Sequence, residues 1–563
     1  MGSRRGLSAR LPYDGRYLVG VETATEASRQ VHSVLFATQN ASLQVFYELA
    51  QALRHEGGLE RASFYVSDEG YFDRFRAQTP DVESDSYTLL KEWEVVRDSA
   101  SHEPDMAELR KFEETLDVDC LWSVLIADRR VYGGPCATLH QDHRQRFEHR
   151  RMLAILNLSL RRMEQLFDAA KPDLVVGFIC VTLGDYLAYL FAKARGIPYL
   201  NLRPTRMQNY MYAGESVFEW SESFVTAYQD RTGYCPASEA VEIATSHLAV
   251  VRATHSRYEG IIRASAAPPQ TTRVVHRSPP ALVKRVLEMA LQDLRSFFSG
   301  DWSRHRPGIL ESVWFVKVHR PLRARRMRWT FRHEYVYEED LPALDYAFFP
   351  LHAEPEMQLN VYNRRYLNQI EAVRSVAGNL PVGMKLLVKE HPWTVGRRPL
   401  SYYRKLLKIP NVRLVSPAVE SRPLILNARL MTMISGSIAL EAAMLGKPVV
   451  TLGKALFNVL SPSMVCCMPP VEELAQRIQE LLRSYEYDDS ALVRYFATVV
   501  EQSVAVDWYS RLLKRPESER DLEESERREQ IANVARYLLR RADELYGAAE
   551  LNREDVTAAH GDD

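Results

Sequence analysis

Several features that would assign this chain of 563 residues to a common class are missing from its sequence. No apolar run approaches the ~20 residues that a transmembrane helix needs. The first residues contain arginines but not the hydrophobic segment of a secretory signal. The net charge is −1, so global charge argues neither for nor against a nucleic-acid partner. We expect a soluble cytoplasmic protein, with peripheral contact to the inner membrane left open.

Sequence motifs for metals and redox cofactors are also missing. The six cysteines are scattered and form no C-x-x-C pair, so we expect reduced core thiols and no zinc site. The turn after the first predicted strand, at 33–38, lacks G-x-G-x-x-G, which counts against an NAD or FAD enzyme. No Asp-x-Asp stands at a suitable strand end, so no directly bound metal ion and no cofactor are expected.

The chain is too long for one hydrophobic core, and its patterns predict two α/β domains. A strand–helix–strand unit opens at residue 33. A later strand–helix unit that ends in G-I-P and a second strand, at 172–202, has the same rhythm as a unit at 430–452 that ends in G-K-P and a strand. The predicted organisation is a flexible lead at 1–32, a Rossmann-like acceptor domain at 33–218, a helix-rich basic insertion at 219–344, a Rossmann-like donor domain at 345–515 and a charged helical tail at 516–563.

The most informative stretch lies at 385–453, in the second α/β domain. Two apolar runs, Lys385–Val388 and Leu430–Ile434, each stop at polar residues. A short helical pattern follows the second run and ends at Gly446, where a left-handed residue suits a helix C-terminus. Ligands of open parallel sheets bind beyond the carboxyl ends of the strands, so both polar loops are expected to open into one crevice.

The polar residues after the second run predict an anion site. Ser435, Gly436 and Ser437 stand at a helix N-terminus, where N–H groups and the helix dipole attract phosphate. Serine is also common there simply as a cap. Glu441 lies four residues after Ser437, not at the capping-box position, so its carboxylate is a candidate ligand for ribose hydroxyls.

His391 is the candidate from the first run. Pro392 restrains it to an extended conformation at the strand end. A histidine there can donate to a phosphate oxygen of a departing nucleotide and stabilise its growing charge. Lys389 is near in sequence, and it either faces the crevice or pairs with a nearby carboxylate.

Three segments carry a resemblance to a known family: FFPLHAEPE at 348–356, VKEHP at 388–392 and SGSIALEAAMLGKPVV at 435–450. They resemble the carboxyl-terminal domain of capsule and surface-polysaccharide biosynthesis glycosyltransferases. The His-Pro and serine motifs are also similar to those of bacterial sialyltransferases and Kdo transferases. The resemblance implies a GT-B fold, with two Rossmann-like domains facing each other across a cleft and a helical insertion in this chain.

The resemblance also implies roles for the candidate residues. His391 would contact the donor phosphate, Ser435 and Ser437 the phosphate or nucleotide, and Glu441 the ribose. His352 and Glu356 would lie near the donor. Catalysis would then fall to His391 and Glu356, and donor binding to the remaining candidates: His352, Lys389, Ser435, Gly436, Ser437 and Glu441. The donor would be a CMP- or UDP-linked sugar.

Two questions stay open at this point. The base that activates the acceptor is not identified; Asp68, Glu69 and Asp185 stand at plausible strand or helix ends, where a surface or capping role is favoured over a catalytic one. The basic cluster from Arg304 to Arg332 could bind an anionic glycan, a lipid phosphate headgroup or a membrane surface, or form a solvated face. No nucleic-acid module accompanies it, so no nucleic-acid partner is expected.

The predicted function is transfer of a sugar from a nucleotide-sugar to a growing surface or capsular polysaccharide, or to its lipid-linked precursor. The first alternative is a UDP-sugar 2-epimerase, which shares the two-domain fold and similar phosphate loops. The second is a glycan-binding assembly component with a degenerate site.

Overall fold

The computed structural model describes residues 31–40, 42–83, 87–134, 137, 145–230, 238–253, 309–506 and 524–559, and four isolated positions between 287 and 294. Most of the predicted lead and part of the predicted insertion therefore lie outside the described residues. Arg304 and Arg306 of the basic cluster also fall outside them.

The first domain is built on a seven-stranded sheet with the order β14-β6-β5-β4-β1-β2-β3. The strands from β5 to β3 in this order are parallel, whereas β6 and β14 pair antiparallel at one edge. Its strands are β1 Ser33–Thr38, β2 Arg61–Val66, β3 Tyr87–Lys91, β4 Leu174–Phe178, β5 Tyr199–Pro204, β6 Tyr210–Gly214 and β14 Val504–Ala505.

The second domain has a seven-stranded sheet that is parallel throughout, with the order β13-β12-β11-β8-β9-β10-β7. Its central strands are buried along their length, as expected for a sheet covered by helices on both faces. The strands are β7 Tyr335–Val336, β8 Tyr346–Pro350, β9 Lys385–Lys389, β10 Val412–Val415, β11 Leu430–Met433, β12 Val449–Thr451 and β13 Val465–Cys467.

Helices cover the faces of both sheets. In the first half of the chain they are α1 Ser42–Gly57, α2 Glu69–Gln78, α3 Glu92–Asp98, α4 Met106–Thr115, α5 Trp122–Ala127, α6 His149–Ala170, α7 Leu183–Ala194, α8 Glu222–Asp230 and α9 Ser238–Ala253. In the second half they are α10 Ile309–Trp314, α11 Arg320–Thr330, α12 Gln369–Gly378, α13 Leu400–Leu407, α14 Ser421–Asn427, α15 Ser437–Met444, α16 Leu474–Ser484, α17 Asp489–Glu501 and α18 Glu524–Ala559.

Two segments cross between the halves of the chain. The helices α8 and α9 follow the first sheet in sequence, but Phe224 and Leu248 are buried in the core beside the second sheet. In the opposite sense, α18 returns to the first domain, where Val534 and Leu538 are buried in the core that contains α1. The charged carboxyl-terminal region therefore includes a helix whose apolar side packs into the first domain.

Two stretches of the first domain have a sequence pattern compatible with strands, at 92–96 and 121–125, but both are helical as α3 and α5. The run Tyr87–Lys91 just before α3 forms the edge strand instead. Short apolar runs do not separate the two conformations by periodicity alone. The fold class itself is confirmed: an α/β protein of GT-B type, with two Rossmann-like domains.

Candidate functional site

Three polar loops meet at the carboxyl edge of the second sheet. His352 follows β8, His391 follows β9 and Ser435 follows β11, and these strands are neighbours in the order β11-β8-β9. The register pairs Pro350 with Lys389, so the first two loops begin at the same level. The two polar loops predicted from the sequence thus share one edge, and the loop of His352 lies between them.

The turn into α15 brings backbone N–H groups and a histidine together. Gly436 has φ 133° and ψ 177°, a left-handed conformation that side chains rarely adopt. A Cβ atom there would lie 3.2 Å from Cε of Met433 and 3.6 Å from Cε1 of His352. The His352 ring therefore lies against the N-terminus of α15. Its Nε2 atom is buried and has no hydrogen-bond partner among the described residues.

Glu356 adds a carboxylate to the histidines. Its Oε2 atom is 3.7 Å from Nδ1 of His352. Burial alone would raise the pKa of Glu356, but the nearby His352 ring and the charges of His391 and Arg206 outweigh it and hold that pKa below its usual range. Glu356 is therefore ionised at neutral pH, beside both rings.

His391 is held in one tautomer by its own turn. Its Nδ1 atom accepts a hydrogen bond of 3.2 Å from the backbone N–H of Trp393, so in the neutral ring the proton is on Nε2. Burial lowers the pKa of His391, although Glu356 and Glu390 oppose that shift. The ring is consequently a neutral donor through Nε2 at neutral pH.

The acidic residue of the VKEHP segment, Glu390, lies inside the domain. Its carboxylate accepts hydrogen bonds from Arg398, Thr394 and the hydroxyl of Tyr403, and also from the backbone N–H of His391, at 2.7 Å. Those partners, Arg398 above all, hold the pKa of Glu390 low although burial alone would raise it. Glu390 thus fixes the loop of His391, a role that the sequence pattern did not indicate.

Ser435 is enclosed in a polar network. Its hydroxyl donates to Oε1 of Gln358 at 2.7 Å and accepts from Nδ2 of Asn363 at 2.9 Å. Gln358 lies in the π-helical turn Gln358–Tyr362 and donates in turn to Oε2 of Glu219 at 2.9 Å. The buried Ser435 hydroxyl is thus linked to a carboxylate that the chain supplies before the second sheet begins.

A narrow cleft lies between the two domains at the N-terminus of α15. Arg206 and Glu219 face it, with their charged atoms 4.0 Å apart and their side chains 16% exposed. The lining residues are Pro204, Thr205, Arg206, Tyr212, Glu219, Gly436, Ser437, Leu440, Leu456, Phe457 and Tyr495.

Of the remaining predicted ligands, Ser437 lines the cleft, whereas Glu441 and Lys389 do not. Ser437 begins α15 and lines the cleft, and Glu441 lies one turn further along the helix but is not among the lining residues. Lys389 is buried; burial lowers its pKa, and the carboxylates that oppose this shift are Glu390 and Glu420. The structure thus puts Lys389 beside carboxylates, the second possibility that its sequence position left open.

The three candidate bases of the first domain do not line the cleft. Asp68 caps α2 and accepts from the N–H of Tyr71 at 2.6 Å, and Glu69 is the first residue of that helix. Asp185 forms a capping box at the start of α7, where burial raises its pKa to about 7. Both aspartates therefore have the capping role that the sequence left open beside a catalytic one.

Sequence reasoning missed Arg206 and Glu219. Arg206 stands in the segment LRPTR after β5, with φ 69°, which is uncommon for a residue with a side chain. A basic residue directly after a strand of the first domain was the available signal. Within the described residues no cluster of three or more potential metal ligands occurs, and none of the described helices has the length and apolar character needed to cross a membrane.

Comparison with known proteins gives one family match. Residues 343–461 match the family described as "capsule polysaccharide biosynthesis protein". This segment contains all the candidate residues of the second domain and makes up about a fifth of the chain. The predicted resemblance to capsule biosynthesis proteins is thereby confirmed for this segment. No curated protein matches the chain in sequence.

Solved structures include three similar folds. The β-Kdo 2,4-transferase of KpsC from Thermosulfurimonas dismutans is 13% identical, covers 58% of this chain and 78% of its own, and has a TM-score of 0.31. The β-Kdo 2,7-transferase of the same KpsC is 12% identical, covers 60% of this chain and 80% of its own, and has a TM-score of 0.30. UDP-GlcNAc 2-epimerase from Neisseria meningitidis is 11% identical, covers 86% of this chain and 100% of its own, and has a TM-score of 0.22.

Proposed function

We propose that this protein is a glycosyltransferase that moves a sugar from a nucleotide-sugar to a growing surface or capsular polysaccharide, or to its lipid-linked precursor. The observation that carries the proposal is that His352, beside Glu356, lies against the N-terminus of α15, with the loop of His391 next to the loop of His352. These residues lie in the segment that matches capsule biosynthesis proteins. The site of action would be cytoplasmic and peripheral to the inner membrane.

The donor phosphate would sit at the N-terminus of α15. The N–H groups of the first turn and the helix dipole favour an anion there. In its protonated form His352 would donate to that anion from Nε2 while Nδ1 faces Glu356. Arg206, which lines the same cleft from the first domain, would add a second positive charge when the cleft holds the donor.

The reaction breaks the bond between the anomeric carbon and a phosphate oxygen and forms a bond from that carbon to an acceptor oxygen. Negative charge grows on the departing phosphate, and the Nε2–H group of His391 would donate to it. Glu356 would offset the positive charge of the protonated His352 ring beside it. The acceptor proton leaves to a base that we do not assign.

The nucleoside would occupy the apolar part of the cleft. Tyr212, Phe457 and Tyr495 supply aromatic surface, and Leu440 and Leu456 complete it. We retain Ser437 and Gly436 as phosphate ligands and Glu441 as the ribose ligand. Ser435 would act by positioning the turn through Gln358, because its single proton is already donated there. Lys389 would contribute to donor binding indirectly, because it is the last residue of β9 and precedes the loop of His391.

Incubation with CMP- and UDP-sugars, with and without a polysaccharide acceptor, tests this function. We expect nucleotide release that depends on the acceptor, together with a longer glycan. Conversion of a UDP-sugar to its 2-epimer without acceptor would overturn the proposal in favour of an epimerase. If no combination of nucleotide-sugar and acceptor gave either sugar transfer or epimerisation, the proposal would be overturned in favour of a binding component.

A further inference from the structure

The helical segment 309–330 presents an exposed apolar surface beside the candidate site. The helices α10 and α11 are joined by the π-helical turn Phe315–His319 without an intervening loop. Five large apolar side chains of this segment, and Trp393 next to it, are each between 45% and 67% exposed. These residues are Val313, Trp314, Val316, Leu322, Trp329 and Trp393; we call them, with the exposed basic residues of 313–332, the outer face.

The outer face is positively charged as well as apolar. Leu322, Arg325, Arg326 and Trp329 follow the spacing i, i+3, i+4, i+7, which puts them on one side of α11. No acidic residue occurs between 312 and 333 in the sequence. Within the described part of the chain, Arg325 and Arg326 are exposed and form no ion pair.

The inner side of the segment is fixed to the loop of His391. Arg320 donates to the carbonyl oxygens of Trp393 and Val395 at 3.1 and 3.2 Å, and Arg323 donates to that of Arg397 at 2.9 Å. A Cβ atom on Gly396 would lie 2.5 Å from the carbonyl oxygen of Arg320, so the helix and the loop are in close contact. Trp393 itself donates its N–H to His391.

We infer that the outer face is a docking surface for an anionic phospholipid bilayer. Exposed tryptophans and leucines at helical spacing can enter the interfacial region of a membrane, while arginines bind the lipid phosphates. Six large apolar side chains exposed in one region are unusual for a surface that meets only water. Docking would hold the His391 loop, and with it the cleft, beside the membrane surface, where a lipid-linked acceptor is presented.

A polyanionic glycan is the other partner that the charges could attract. It would engage the arginines but leave Trp314, Leu322 and Trp329 without a reason to be apolar and exposed. The combination of both properties on one side of α11 therefore favours lipid. The inference does not rest on the proposed function, because binding to vesicles requires no sugar transfer.

Co-sedimentation of the full chain with vesicles tests the inference. We expect binding to vesicles of phosphatidylcholine mixed with phosphatidylglycerol, and at least about tenfold weaker binding to phosphatidylcholine alone. The double variant Arg325→Glu/Arg326→Glu should lose about tenfold or more in binding, and Leu322→Ser/Trp329→Ser should lose a similar factor. All four residues are exposed, so the melting temperature should stay close to that of the parent.

The chain offers matched controls. Arg404 and Lys405 are adjacent, exposed and basic on α13, so Arg404→Glu/Lys405→Glu repeats the charge change elsewhere. Leu426 is 46% exposed, and Leu426→Ser repeats the Leu322→Ser part of the apolar change at another place. Both controls should bind like the parent. In the unmodified protein, amide exchange over 309–330 should slow when anionic vesicles are added.

Several results would overturn the inference. Equal binding to both vesicle types, or equal loss in the controls and the outer-face variants, would exclude a specific docking surface. Retention on an anionic polysaccharide without binding to anionic vesicles would assign the face to a glycan. Unchanged amide exchange over 309–330 in the presence of bound vesicles would place the contact elsewhere.

Discussion

Arg398 and Glu390 form a buried ion pair that ties together the two histidine loops at the carboxyl edge of the second sheet. The guanidinium of Arg398 donates to the Glu390 carboxylate and to the backbone carbonyl of His352, and lies 3.3 Å from Glu354. The pKa of Glu390 is held low by this pair, against the effect of burial. Since Glu390 also accepts from the backbone N–H of His391, one ion pair holds the backbone of both loops.

Removing Arg398 should therefore destabilise the folded protein. Arg398→Met leaves the carboxylate of Glu390 buried without its charged partner, and we expect a loss of about 3–5 kcal/mol in the free energy of unfolding. The matched control is Arg429→Met, because Arg429 pairs with Asp345 at 2.8 Å on the surface. That change should cost less than about 1 kcal/mol. Equal costs in urea unfolding would show that the buried pair does not hold the domain together.

His391→Ala tests the histidine that would donate to the leaving phosphate. We expect transfer to fall by at least about a hundredfold, because one preorganised donor to a developing charge is worth that much in other enzymes. The melting temperature should change little, since the loop is held through backbone atoms. His333→Ala, at an exposed histidine outside the cleft, should leave turnover unchanged. Unchanged turnover in His391→Ala would remove His391 from the mechanism.

The sequence predicted the second sheet far better than the cleft. Strands β8, β9, β11 and β12 and the helix α15 follow from apolar runs that stop at polar residues or glycine, which are local signals. Local patterns cannot show which residues of a second domain complete a site, so Arg206 and Glu219 were missed. The enclosure of Ser435 by Gln358 likewise depends on tertiary packing.

Gly436→Ala should disturb both stability and ligand binding. The backbone at φ 133° is strained for alanine, and the added Cβ would press on Met433. We expect a loss of about 1–3 kcal/mol in unfolding free energy and weaker nucleotide binding, because the N–H groups of the turn must move. Gly378→Ala is the control, since Gly378 ends α12 with no heavy atom within 4 Å of the added Cβ. Similar effects of both substitutions would contradict a special role for the turn.

His247 predicts how stability changes with pH. Its ring is buried in α9 against Phe496, and burial lowers its pKa to about 4. Because the unfolded state binds a proton near pH 6.5 and the folded state does not, stability should fall as the pH drops from about 7 to 4, on the order of 3 kcal/mol for this group. His247→Leu should lose that part of the pH dependence. An identical pH profile in the variant would contradict the assignment.

Calorimetric titration with CMP-, UDP- and GDP-sugars tests most directly the central claim that the cleft at the N-terminus of α15 binds a nucleotide-sugar. The expected result is binding of one nucleotide class to the parent protein, with affinity reduced at least about tenfold in Arg206→Ala and in Gly436→Ala, and retained in Gly378→Ala. Failure of every nucleotide-sugar to bind the parent, or equal affinity in all four proteins, would contradict the claim.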